Sequence, residues 1–116
     1  MPRAAGRRWS ICDQSSHTIY LTQERWDHIT APLNHPELNH PELIRYEEHL
    51  KEIVASGQRR QDSLNPQKYR YAKAIADLPE DNTHMRAIVL FRFHQGDDGK
   101  PHPNNYIVTA YMKEPR

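Results

Sequence analysis

The feature that most constrains this chain is a change of hydrophobic period at Gly57. Before it, Leu43, Tyr46 or Glu47, Leu50, Ile53 and Val54 share one face of a helix with roughly 3.6 residues per turn. Pro41 suits the first helical position, Glu42 the positive end of the helix dipole, and Gly57 the residue just past the end. The spacing predicts a helix over residues 41–56. After Gly57 apolar and polar residues alternate, which is the period of a strand. Strands are predicted over residues 58–64, 68–75, 84–94 and 105–112, with a turn at Asn65-Pro66, a loop over 78–83 and a hairpin loop over 95–104. Residues 84–94 are apolar on both faces at their middle, so this strand is expected to be central. Strict alternation in the last strand puts Tyr106, Val108 and Ala110 on one face and Ile107, Thr109 and Tyr111 on the other. Upstream, Ile19 and Leu21 mark a short strand over residues 17–22, and Thr22 can cap a helical turn that carries Arg25, Trp26, His28 and Ile29. The expected architecture is α+β: N-terminal helices on one face of a four- or five-stranded antiparallel meander. That domain would occupy residues 17–113, behind a flexible basic segment over residues 1–16.

Composition narrows the function classes. The chain has 116 residues, enough for one domain, and only 36% are hydrophobic. No run approaches the ~20 apolar residues of a membrane helix, and no apolar signal-peptide core follows the basic start. The expected location is therefore the cytoplasm, away from membranes. A single cysteine, Cys12, excludes an internal disulfide and a cysteine-rich zinc site.

The net charge of +1 conceals segregation. Residues 27–57 carry six acids against Arg45 and Lys51, whereas residues 58–73 carry five cations against Asp62 alone. Such a basic strip is either a solvated face or a phosphate-binding one. The eight histidines are a second anomaly, inflated by a tandem duplication of Asn-His-Pro-Glu-Leu over residues 34–38 and 39–43. The five-residue interval between His35 and His40 comes from that duplication and carries no metal-site signature, so no cofactor is expected.

One set of residues could nevertheless perform phosphoryl chemistry without a metal. Imidazole suits both acid and base roles near neutrality, and a cation can stabilise charge on phosphoryl oxygens. His28, one histidine of the duplicated pair, Lys73, Thr109 and Tyr111 supply those groups. Tyr71 and Lys73 share a strand face, as do Thr109 and Tyr111. If the two faces coincide, the sheet presents a cationic, aromatic surface that can hold an RNA backbone and stack a base. Each of these residues also has an ordinary structural role available, as sheet surface, core or solubilising charge.

The ordered set resembles the phage-type nucleases of the barnase–EndoU–colicin–RelE superfamily, known as the BECR fold. The residues that carry the resemblance are Arg25-Trp26-Asp27-His28-Ile29, His40-Pro41-Glu42-Leu43, Tyr69-Arg70-Tyr71-Ala72-Lys73, the apolar run over 87–93, and Tyr106-Ile107-Val108-Thr109-Ala110-Tyr111. They span residues 17–112. The resemblance implies a helix packed on a four-stranded antiparallel sheet. It implies metal-independent RNA cleavage through attack of the 2′-hydroxyl, leaving a 2′,3′-cyclic phosphate. On this chain His28 and His40 (or His35) would be the acid and base, Lys73 would stabilise the phosphoryl charge, and Thr109 and Tyr111 would orient the phosphate. Arg60, Arg70 and Tyr71 would bind substrate. Expected partners are tRNA or mRNA, and an antitoxin or immunity protein if the chain is a toxin or a phage-associated effector. The chain departs from the pattern at the duplicated histidine, and it lacks a proline before the second strand. The alternative is a non-catalytic RNA- or partner-binding module on the same fold.

Overall fold

The computed structural model describes residues 6–31 and 40–114. In chain order they form β1 (Arg7–Cys12), β2 (Thr18–Thr22), α1 (Gln23–Ile29), a 3₁₀ helix (Pro41–Tyr46), α2 (Glu47–Ser56), β3 (Gln58–Gln61), β4 (Lys68–Ala74), β5 (His84–Gln95) and β6 (Pro101–Lys113). All strands join one six-stranded sheet in the order β1-β2-β6-β5-β4-β3.

The expectation of N-terminal helices on a four- or five-stranded antiparallel meander is corrected. The described chain is mostly sheet, and the sheet is mixed, because β2 runs parallel to β6 through Ile19↔Asn105 and Tyr20↔Tyr106. A parallel pair between segments so far apart has no local signature, since it depends on where the helical crossover lands. Asn105 is buried at this seam, and its side-chain amide donates to the Thr18 carbonyl at 3.2 Å. The sixth strand comes from Arg7–Cys12, inside the segment read as flexible and basic. Its anchors are remote: Glu47 at the start of α2 accepts from the Arg8 guanidinium and, at 2.7 Å, from Trp9 Nε1. Those hydrogen bonds hold the Glu47 carboxyl below its ordinary range, chiefly through Arg8.

The helix expected over 41–56 is divided: a 3₁₀ turn starts at Pro41, and the α-helix proper starts at Glu47. Gly57 is extended (φ −76°), so left-handed geometry is not the reason for glycine there. A Cβ at Gly57 would instead collide with the backbone carbonyls of Ile53 and Ala72, where α2 turns directly into β3. The hairpin loop is also shorter than expected. β5 and β6 remain paired out to Gln95↔Pro101. Pro101 and Pro103 are tolerated because the recorded pairing of β2 with β6 is confined to Asn105 and Tyr106, so neither proline has to donate to a second neighbour.

The core lies between the helices and one face of the sheet. Leu43, Leu50, Ile53 and Val54 meet Ile19, Leu21, Tyr71, Met85, Ala87, Val89, Ile107 and Ala110, all buried. Trp26 and Ile29 of α1 close one side of it.

Candidate functional site

A β-bulge decides what the last strand presents. Ile88 faces Thr109 while Val89 faces Ile107, so Val108 is an extra residue in β6. The extra residue breaks strict alternation. Ile107 and Ala110 both point into the core, whereas Tyr106, Thr109 and Tyr111 share the opposite face. Tyr106 therefore belongs with Thr109 and Tyr111, not with Ala110 as alternation predicted.

The cross-strand registers complete that open face. One row runs Arg60, Arg70, Ile88, Thr109, and a second runs Ala72, Arg86, Tyr111. A third runs Leu90, Tyr106, Tyr20. Directly paired residues point to the same side of a sheet, so these rows form one surface on the side away from α2.

α1 borders this surface at its β2–β6 side. Thr22 Oγ1 accepts from the Arg25 amide at 3.0 Å and starts the helix, as its cap position predicts. Burying Trp26 and Ile29 turns Arg25 and His28 towards the sheet edge. There His28 and Arg25 line a cavity of about 450 Å³ with His40, Val108, Thr109 and Tyr111. His40 is half-buried, its Nδ1 is 3.4 Å from the Glu42 carboxylate, and its ring centre is 6.2 Å from that of Tyr111. Two neighbouring cavities share walls with this one. Arg25 and His28 also line a cavity of about 440 Å³ with Tyr20, Thr22 and Tyr106. Tyr111 also lines one of about 500 Å³ with Arg60, Lys68 and Arg70. The shared residues make the three cavities neighbours along the open face.

The sequence-derived site is therefore partly assembled. His28, His40, Thr109 and Tyr111 converge, and Arg60 and Arg70 lie next to them. His35 lies outside the described residues. Lys73 and Tyr71 are elsewhere, and their expected roles at this surface are corrected. Lys73 points to α2, where Nζ donates to Glu52 Oε2 at 2.8 Å and to Ser56 Oγ at 2.9 Å. Tyr71 is 1% exposed in the core, and its hydroxyl donates to Asp13 Oδ2 at 2.5 Å. Burial and that carboxylate hold the Tyr71 phenol well above its ordinary pKa. Burial also pushes Asp13 up, but bonds from the Tyr71 hydroxyl and the His17 and Ser15 amides outweigh it, so its carboxyl sits below the ordinary value. Alternation joins Tyr71 to Lys73 but does not say which face of β4 is inward, and the pairing of Tyr71 with Ala87 puts both on the core side.

Three site residues escaped the sequence reading of the chemistry. Arg25 had a signal, since it lies one helical turn before His28. Arg86 had a weaker one, a charge beside the apolar middle of the strand expected to be central. Tyr106 had none, because the bulge that turns it outward is a tertiary event. Among the described residues no group of three or more His, Cys, Asp or Glu side chains could hold a metal ion. No described helix is long and apolar enough to cross a membrane. Comparison with protein-family models, curated proteins and solved structures returns no match.

Proposed function

We propose that this chain is a metal-independent endoribonuclease of the kind its resemblance to the BECR nucleases implies. The single observation that supports the reading most is the cavity where His28, His40, Arg25, Thr109 and Tyr111 meet. Two imidazoles, a guanidinium and two hydroxyls are the groups that transesterification of RNA requires. In this reading His40, oriented through Nδ1 by Glu42, takes the proton of the ribose 2′-hydroxyl. The 2′-oxygen attacks phosphorus, the bond to the 5′-oxygen breaks, and His28 protonates the departing oxygen. The products are a 2′,3′-cyclic phosphate and a free 5′-hydroxyl. Arg25 replaces Lys73 as the cation beside the phosphoryl oxygens, and Thr109 and Tyr111 donate to them.

The test is incubation with single-stranded RNA in excess chelator, followed by analysis of fragment ends. Cyclic-phosphate ends are expected, and His28→Ala or His40→Ala should slow cleavage by about 10²- to 10⁴-fold. RNA left intact by folded protein at high concentration refutes the reading. The removal of Lys73 from this face favours one alternative, a module that binds RNA with steep salt dependence and does not turn it over. In either case the guanidinium rows suit an acidic partner, so an antitoxin or immunity protein would be expected to cover them. A toxin or phage-associated effector needs such a partner to be expressed safely, and poor expression of the lone chain is the accompanying expectation.

A further inference from the structure

Arg86 occupies a position where a central strand ordinarily carries an apolar side chain. It sits on β5 between Ala72 of β4 and Tyr111 of β6, on the open face. The residue is half-buried, and its Nε is enclosed with no hydrogen-bond partner among the described residues. Such donors are rare. Enclosure puts Nε itself out of reach of a ligand, and the two terminal nitrogens, which are not enclosed, are the ones an anion can meet. Arg70 faces Ile88, two positions along β5, which makes it a diagonal neighbour of Arg86 at roughly 7–8 Å between Cα atoms. Arg60 lies directly opposite Arg70. Like charges in direct opposition are destabilising without a counter-ion. Among the described residues no carboxylate forms an ion pair with Arg60, Arg70 or Arg86, whereas Arg8, Lys51, Arg59, Lys68 and Lys73 each have one. Asp62, the acid lining the adjoining cavity, is already engaged by the Leu64 and Asn65 amides and faces Lys68.

We propose that Arg86, with Arg70, anchors a phosphate group of a single-stranded nucleic acid, next to the phosphate that reacts between His28 and His40. The planar guanidinium matches phosphate oxygens through its two terminal nitrogens, since Nε is enclosed by the protein. Tyr111, paired with Arg86, walls both the histidine cavity and the arginine cavity, so one strand can engage both. Arg60 to Tyr111 spans three strand spacings, about 14 Å, which exceeds one phosphate group. The tyrosines of the same face accept unpaired bases, which favours a single strand over a duplex. The position relative to the reacting phosphate rests on the proposed cleavage at His28 and His40; the phosphate anchor itself does not.

The test uses the full chain and a fluorescent single-stranded oligodeoxynucleotide, which lacks the 2′-hydroxyl and stays intact. Affinity is measured across a salt series and melting temperature in parallel. Arg86→Met should weaken binding by about tenfold and flatten the plot of log affinity against log salt by ~0.7, the share of one phosphate on a single strand. It should leave the melting temperature unchanged or raised, because it removes an unpartnered buried donor. A purely structural arginine does the reverse: the protein melts earlier and the slope stays. Arg70→Met should flatten the slope likewise, and Lys100→Met at the hairpin tip should not. If Arg86→Met does not fold, Arg86→Lys and Arg70→Met carry the test, since Lys keeps the charge and loses the fork. An unchanged slope in these variants, or an oligonucleotide that does not bind, overturns the proposal. Arginine-dependent binding with RNA left uncut refutes the nuclease reading and leaves the anchor standing. RNA cleavage with a salt slope indifferent to Arg86 refutes the anchor alone.

Discussion

Tyr71→Phe separates the two places this residue could act. On the substrate surface, the hydroxyl would matter for RNA binding and little for stability. In the structure it is buried, and its hydroxyl donates to the Asp13 carboxylate at 2.5 Å. A hydrogen bond to a charged group contributes about 1.5–3 kcal/mol. Phenylalanine fills nearly the same volume, so no cavity is added. Asp13 keeps the Ser15 and His17 amides, both at 2.9 Å, which argues for the lower end of the range. At roughly 4 °C per kcal/mol for a domain of this size, that lower end corresponds to a fall in melting temperature of about 6 °C. The pH dependence should change too. The folded-state pKa of Asp13 is depressed below 3.8, so its stabilisation is present above that pH and is lost as the pH falls through the folded value. Without the Tyr71 hydroxyl the depression shrinks, and acid unfolding should begin at higher pH. At the alkaline end, Tyr71 is raised from 10.0, so the wild type loses stability as pH climbs past that value and the variant lacks this loss. Calorimetry across pH, with RNA binding measured in parallel, checks both arms. A variant that melts like the wild type but no longer binds RNA would refute the core assignment.

Three other perturbations test the architecture. Gly57→Ala should cost about 1–3 kcal/mol through collision with the Ile53 and Ala72 carbonyls, read as a lower denaturant midpoint with an unchanged slope; an unaffected midpoint would show that the α2–β3 junction can open. Lys73→Met should leave RNA binding and cleavage at wild-type levels, because its ammonium is engaged by Glu52 and Ser56 on the helix face, and loss of cleavage would return Lys73 to the site. Deleting Val108 should yield a folded protein, since Ile107 and Ala110 then alternate regularly with Thr109 and Tyr111, but cleavage should fall because Val108 is part of the wall of the cavity that holds His28 and His40. Unfolding on deletion would mean that the bulge is needed by the core.

Local chemistry made much of this protein legible from its residues. The change of period at Gly57 separated helix from strands, since periodicity is a property of neighbours in the chain. Thr22 announced the start of α1, and the apolar middle of residues 84–94 announced the inner strand β5. His28, His40, Thr109 and Tyr111 were singled out, and these four line one cavity. Tertiary structure decided the rest, because each remaining choice depends on a partner remote in sequence. β1 starts with two arginines, and its place at the sheet edge depends on pairing with β2 and on Glu47, nearly forty residues on. The parallel seam of β2 with β6 depends on the path of the helical crossover. Tyr71 and Lys73 share a strand face by the pleat, but only pairing with Ala87 and Met85 turns that face to the core. Arg86 reads in sequence as one charge among several, and only its place on the open face diagonal to Arg70 makes it a candidate phosphate ligand. Periodicity states which residues travel together along a helix or strand. Which way they face, and what meets them there, is settled by the free energy of burying one side of the sheet against the helices.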